Sequence, residues 1–424
     1  KGETDMDMLL KAAQTLINMG AVSLLPIMIL VLGLIFRMKF GAALKAGLFV
    51  GIGFQGLSLA VSLLTTTIQP ISEYYQKLGS GFTTVDLGFA ATGGAAWTVP
   101  FAPLAVPLIV LANFILIFVF KRKVLNVDIW NYIHFLIPGA LAYALFGSAA
   151  IGLAVTVGLS IISVLVAEVI APKWQDFFGL EGTTCSTFSF ITFMYPLSWL
   201  VNKIFDKIPG LKDADISMDW LESKLGVFGE SCFVGFIVGV FLGILTKQPV
   251  ENILGIGMGI ASVLILIPRM VSIMMEGITP IGNAASKFMK KHLGEDAELW
   301  IGMDVALGLG DPACVTCTAI CIPITIALAF IIPNMTYFPI GLLTIVCYTT
   351  VFCVMASNGN LIRSLVCSIL CMFIIAFCAN QFVPEATAMF SVTGLDLKGG
   401  LATDGFFGFD LGNVFICLLH RLIG

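Results

Sequence analysis

EGITPIGNAASKFMKKHLGEDAELWIGMDVALGLGDPA, residues 276–313, places Asp304 between WIGM and VALGLG, with a second acid at Asp311. An acid in so apolar and glycine-rich a setting is expensive inside a bilayer and marks a substrate or ion path by default. The stretch has a twin. Residues 68–96, IQPISEYYQKLGSGFTTVDLGFAATGGAA, repeat its order: an I-x-P-I turn (Pro70 against Pro280), a polar helix, then Asp86 or Asp304 followed by small residues. The match continues outward, with Gly20 against Gly229, Gly51 and Gly53 against Gly255 and Gly257, and VPLIVLANFIL (106–116) against IPITIALAFII (322–332). Two halves offset by roughly two hundred residues are expected, as in transporters built from repeats.

Composition sets the class. Hydrophobic residues make up 58%, charged residues 11%, and mean hydropathy is +1.01, whereas ordinary soluble domains are about a quarter charged. The chain reads as an all-α polytopic membrane protein. A net charge of -4 with basic residues scattered among loops gives no reason to expect nucleic acid. The 11 cysteines lie mostly in apolar segments and form no secreted framework. Cys314, Cys317 and Cys321 mark one face of an apolar helix, where small buried thiols pack well; no metal site and no cofactor are expected. There is no dinucleotide fingerprint, P-loop or nucleophile elbow. The chain opens KGETDMD, with lysine rather than methionine at the first position, which suggests a trimmed chain.

Asp5 to Met19 has an amphipathic pattern that suits the membrane interface. Apolar segments follow near 21–36, 44–66, 99–120, 133–149 and 150–171, then near 230–246, 253–275, 313–333, 338–356, 361–382 and from 411 onward, giving about eleven crossings. Residues 176–203, interrupted by Gly182, Pro196 and a Thr/Ser run, fit a cytoplasmic re-entrant hairpin. Basic residues cluster at Arg37, Lys39 and Lys45, at Lys121 to Lys123, and at Lys203, Lys207, Lys212 and Lys224, which the positive-inside rule assigns to the cytoplasm. In the second half Arg269, Lys287, Lys290 and Lys291 gather after the other segment of the pair, so the charge pattern reverses and the repeat is expected to be inverted. The halves are 1–212 and 213–424, with transport and scaffold parts interleaved. Gly235, Gly239 and Gly243, like Gly47 and Gly51, form small-xxx-small faces for close helix packing.

NVDIWN (126–131) followed by His134, FFGLEG (177–182), KIPG (207–210), GFxxGxxxGIL (235–245), GITPI (277–281), IGMDxALxLG (301–310) and GNLxRSL (359–365) together resemble the galactitol-type IIC permease of the bacterial sugar phosphotransferase system, over nearly the whole chain. The resemblance implies a multi-pass protein of the bacterial cytoplasmic membrane that carries a hexitol or related sugar inward. It also implies cytoplasmic IIB and IIA components, with phosphoryl transfer only together with the IIB phosphocysteine, and, from an ascorbate-specific relative, a homodimer in lipid. Two positions depart from the expected pattern: the run TTCSTFSFITFMY (183–195), and Asp311 where a histidine is expected.

A polyol site needs convergent carboxylates, amides and aromatic faces in an apolar cleft. Asp86, Asn131, His134, Glu181, Asp304 and Asn360 are such groups, and for accepting the proton of a sugar hydroxyl Glu181 is the first candidate and His134 the second. Plainer readings stand beside these. Asp86 and Asp304 could cap broken helices, His134 could sit at the membrane boundary behind Trp130, Glu181 could pair with Lys173, and Asn360 could satisfy backbone before Arg363. Asp128 reads as a partner of the 121–123 basic run. The competing function is an ion-coupled symporter using Asp86 and Asp304.

Overall fold

A computed structural model describes residues 20–78, 81–126, 128–209, 216–294, 298–395 and 397–423. The expected interfacial segment at Asp5 to Met19, and Lys212, lie outside the described residues. The first half contains α1 (Gly20–Ile35), α2 (Phe40–Leu78), β1 (Thr84–Asp86), α3 (Gly88–Ala96), α4 (Ala102–Phe118), β2 (Val124–Asn126), α5 (Ile129–Phe146), α6 (Ala149–Phe178), β3 (Thr183–Cys185), a π-helical turn (Phe190–Met194) and α7 (Tyr195–Phe205). The second contains α8 (Met218–Leu225), α9 (Ser231–Leu245), α10 (Val250–Leu293), β4 (Trp300–Met303), a 3-10 turn (Val305–Gly310), α11 (Pro312–Ile331), α12 (Ile340–Ala356), α13 (Leu361–Gln381), α14 (Val383–Val392), β5 (Leu401–Thr403), α15 (Phe406–Phe409) and α16 (Leu411–Ile423).

This is an all-α membrane protein. Five helices are long and apolar enough to cross a bilayer, or six if the pair Met218–Gly229 and Ser231–Leu245, bent by 60°, is one span. Four shorter apolar helices, among them Ala102–Phe118 and Ile340–Ala356, accompany them.

The turns expected at Pro70 and Pro280 are not turns. Both prolines lie inside uninterrupted helices, α2 of 39 residues and α10 of 44. Neighbouring helices and local adjustment absorb the missing N–H at membrane depth, so an interior proline does not end a span there. α2 and α10 lie against each other along their length and run antiparallel: Gly277 meets Ala46, Gly53 meets Met274, and Gly259 meets Thr67. At each of these contacts a side chain on the glycine would strike the neighbour, so the small residues set the spacing of the two backbones. α1 lies on α2 and α9 on α10, and the four form one helical layer.

The five strands pair across the halves. β4 of the second half sits between β2 and β3 of the first, all parallel. β1 of the first half sits between β5 and a bridge to Tyr337, both from the second. Extended backbone within an apolar protein needs partners on both edges. Asn113 provides them for β2, its Nδ2 donating to Val124 O and its Oδ1 accepting from Asn126 N, both at 2.9 Å. On β3, the Ser163 hydroxyl donates to Ser186 O at 2.5 Å and the Thr184 hydroxyl donates to Ala167 O at 2.8 Å. On β5, Thr387 both donates to Ala402 O and accepts from Ala402 N, at 3.0 Å each.

β2 leaves the Lys121–Lys123 loop, and β4 follows the lysine-rich end of α10. A 2.8 Å ion pair between Lys123 and Glu298 joins the chain just ahead of each strand. β3 follows the end of α6, where Lys173 donates to Asn358 Oδ1 at 2.5 Å. All three strands of this sheet therefore run inward from one basic face.

Candidate functional site

A cavity of about 100 Å³ lies between α2 and the strand tips. From α2 come Phe54, Leu57 and Ser58; from α12 come Ile345 and Tyr348. Phe89 on α3 and Trp130 on α5 form an aromatic wall with ring centroids 5.8 Å apart, and Phe54 lies 6.0 Å from Trp130. Phe190 and Phe409 close the opposite side. His134 and Asp304 bring an imidazole and a carboxyl group to this apolar space, beside the Tyr348 phenol.

Asp304 ends the inward run of β4 and caps the turn that follows, its Oδ1 accepting from Ala306 N at 2.9 Å. Its Oδ2 accepts the Thr187 hydroxyl at 3.2 Å. Capping and cavity lining are thus combined in one side chain: the same bonds that satisfy free N–H groups hold the carboxylate at the cavity. Asp128 is buried behind it. The expectation that Asp128 pairs with the 121–123 basic run is corrected: Asp128 accepts from Trp130 N at 2.9 Å and from Asp304 N at 3.1 Å, because the chain turns inward at β2 and carries it away from the lysines. Asp128 thereby fixes both Trp130 and Asp304.

His134, 5% exposed, belongs to a buried relay. Its Nδ1 is 3.0 Å from Ser189 Oγ, and Ser189 is 2.5 Å from Asp410 Oδ2. A serine hydroxyl has one proton, here committed to the carboxylate, so toward His134 its oxygen can only accept. That assigns the imidazole proton to Nδ1 and leaves Nε2 as an acceptor. The ring is held by Phe406 and Phe89, with centroids at 4.9 and 5.1 Å.

The other candidates lie away from this cavity. Asn131 is fully buried between β2 and β3, its Nδ2 donating to Asn126 Oδ1 at 3.1 Å and to Ser186 Oγ at 2.8 Å. Glu181 is exposed in the turn before β3, on the basic face. Asn360 caps α13, accepting from Arg363 N at 3.1 Å. Asp86 lies behind Phe89, accepting from Gly88 N and Gly341 N at 3.1 and 2.8 Å. Ser189, Phe89, Phe409 and Asp410 are not among the candidates the sequence suggests, although the acids in TDGFFGFD (403–410) carry the signal that marks Asp304.

Residues 15–403 match the family described as EIIC-GAT, PTS system sugar-specific permease component. The chain belongs to this family. It is 32% identical over 387 residues to the PTS system galactitol-specific EIIC component of Escherichia coli K12, covering 91% of this chain and 85% of that protein. It is also 28% identical over 405 residues to a putative permease IIC component of the same organism, covering 94% and 91%. As a phosphotransferase-system permease component, the protein takes a sugar as its substrate and works with IIB and IIA components. In a sugar permease, an aromatic wall facing a fixed carboxylate and an imidazole acceptor has a direct chemical use, since sugar C–H faces stack on rings while hydroxyls need polar partners.

Proposed function

We propose that the protein carries galactitol or a related hexitol inward across the bacterial cytoplasmic membrane and presents it to phosphorylated IIB. The observation that carries this reading is the convergence of Trp130, Phe89, Asp304 and His134 on one cavity. The carbon chain stacks on Trp130 and Phe89, Asp304 accepts hydroxyl hydrogens, and His134 Nε2 takes the proton of the hydroxyl that attacks the phosphoryl group. His134 is preferred to Glu181 as the base because Glu181 is exposed outside the cavity. Glu181, with the exposed Lys203, Lys207, Lys290 and Lys291, belongs to the face that meets IIB.

The layer α1, α2, α9 and α10 is the scaffold, and the remaining helices are the transport part that slides against it, since the cavity lies at their junction. The antiparallel α2 and α10 and the reciprocal strand pairing support two inverted repeats. The protein acts as a homodimer in lipid. A symporter built on Asp86 and Asp304 receives no support from their placement, because Asp304 alone of the two lines the cavity. The test uses sealed vesicles containing the protein. Hexitol accumulating inside only as its phosphate, and only with phosphorylated IIB, is expected; free hexitol accumulating under an ion gradient would establish the symporter.

A further inference from the structure

A second acid pair lies behind the aromatic wall. Asp86 stands opposite Thr403 in the β1–β5 pair, so Asp404 is one residue beyond it. In the other sheet Cys185 stands opposite Met303, so Ser186 is level with Asp304 and Thr187 one residue beyond. Thr187 and Asp404 hold equivalent positions relative to the acid each faces. Thr187 meets Asp304 with a hydroxyl donor; Asp404 meets Asp86 with another carboxyl group.

The two carboxyls converge on Gly341, where Asp86 Oδ1 and Asp404 Oδ2 lie 2.5 and 3.0 Å from the point a Cβ would occupy. Asp404 is 1% exposed, its Oδ1 accepts from Phe406 N at 2.9 Å, and its Oδ2 has no hydrogen-bond partner. The other polar groups facing the pair are Thr92, Tyr337 and, beyond it, Cys378. Thr92 donates to Gly88 O at 3.1 Å and also lies within hydrogen-bonding reach of the Asp404 carboxyl, while Tyr337 donates to Ala376 O at 3.2 Å. Among the described residues no lysine, arginine or histidine forms an ion pair with either acid. Two bare carboxylates converging on one glycine repel each other, and burial leaves little water to screen them.

We propose that Asp86 and Asp404 form a proton-binding site, with one proton held on Asp404 Oδ2, and that this proton positions the wall of the sugar cavity. Asp404 Oδ2 carries it because it is the one oxygen of the pair with no hydrogen-bond donor, whereas both oxygens of Asp86 accept backbone N–H groups. The pair gathers three elements that build the cavity. Asp86 leads into Phe89, Asp404 into Phe406, and Gly341 opens α12, which carries Ile345 and Tyr348. Losing the proton sets two charges against each other where these elements meet, and the Phe89–Phe406 contact, 5.6 Å between centroids, opens around His134. The positioning role rests on the reading of the cavity as the sugar site; the proton site does not.

Infrared spectra of the full-length protein in lipid nanodiscs test the proton directly. At neutral pH the wild type is expected to show a carboxylic acid C=O band that both D404N and D86N lose. A band unchanged in both variants overturns the proposal. Hexitol titrations test the role. The D404N amide supplies a permanent N–H donor, so its affinity is expected within about threefold of wild type, and the alkaline loss of affinity seen in the wild type is expected to be absent. If D404N does not fold, D404T, which copies Thr187, serves instead. Parallel alkaline loss in wild type and D404N overturns the positioning role. If the band vanishes in both variants while the wild type binds no hexitol, the proton site stands and the reading of the cavity falls.

Discussion

His134 Nδ1 lies 3.0 Å from Ser189 Oγ, which in turn reaches Asp410 at 2.5 Å, a chain joining residues 55 and 221 positions apart in sequence. It orients the imidazole and fixes its proton on the side away from the cavity. His134→Asn removes the ring acceptor at Nε2 and is expected to lower the rate of hexitol phosphorylation about a hundred-fold to ten-thousand-fold, with hexitol binding retained. Single-turnover phosphorylation by phosphorylated IIB, set beside equilibrium binding, is the check. Glu181→Gln, outside the cavity, is expected to phosphorylate within severalfold of wild type.

In the proposed site Asp304 contributes through a carboxyl group facing the cavity. Asp304→Asn keeps a cap-competent oxygen but loses the anion, and a hydrogen bond to a charged group contributes about 1.5–3 kcal/mol. Hexitol Kd is expected to rise roughly ten-fold to a hundred-fold, with folding intact. Isothermal titration measures it; an unchanged Kd would remove Asp304 from the binding site.

Much of this is legible in the sequence. An acid flanked by glycines and apolar residues is anomalous wherever it occurs, which is why Asp304 stands out. Asp404 and Asp410 sit in an equally apolar stretch, but residues 399–410 read as a connection because three-residue strands leave no periodic signal. Asn131 and Asn360 have the right chemistry for a hydroxyl ligand, yet the Asn131 Nδ2 is engaged with Asn126 and Ser186 and the Asn360 Oδ1 with the start of α13, and only the fold reveals such engagements. Pro70 and Pro280 read as turns because proline breaks helices in water more readily than within a membrane protein.

The strand edges predict a stability effect. Asn113→Leu leaves Val124 O and Asn126 N without their partners, and a buried orphaned group costs about 1–3 kcal/mol. A lower midpoint of unfolding in detergent is expected, together with near-normal hexitol affinity in the molecules that remain folded, because Asn113 does not line the cavity. Unfolding followed by tryptophan fluorescence gives the midpoint.

The basic face predicts a kinetic effect. Reversing the exposed Lys207, Lys290 and Lys291 to glutamate is expected to slow association with IIB about tenfold at low salt and to flatten its salt dependence, as for a surface that steers an acidic partner. Hexitol binding is expected to be unchanged. Stopped-flow phosphorylation across a salt series reads both; rates that stay the same would leave these lysines with a role in topology alone.

The central claim is that the hexitol sits between the Trp130–Phe89 wall and Asp304, and a structure of the protein with galactitol bound tests it most directly. The account predicts the carbon chain against Trp130, one hydroxyl on Asp304 and another within hydrogen-bond reach of His134 Nε2. Galactitol bound beside Glu181 and Asn360 on the basic face, with the Trp130 cavity empty, would contradict it.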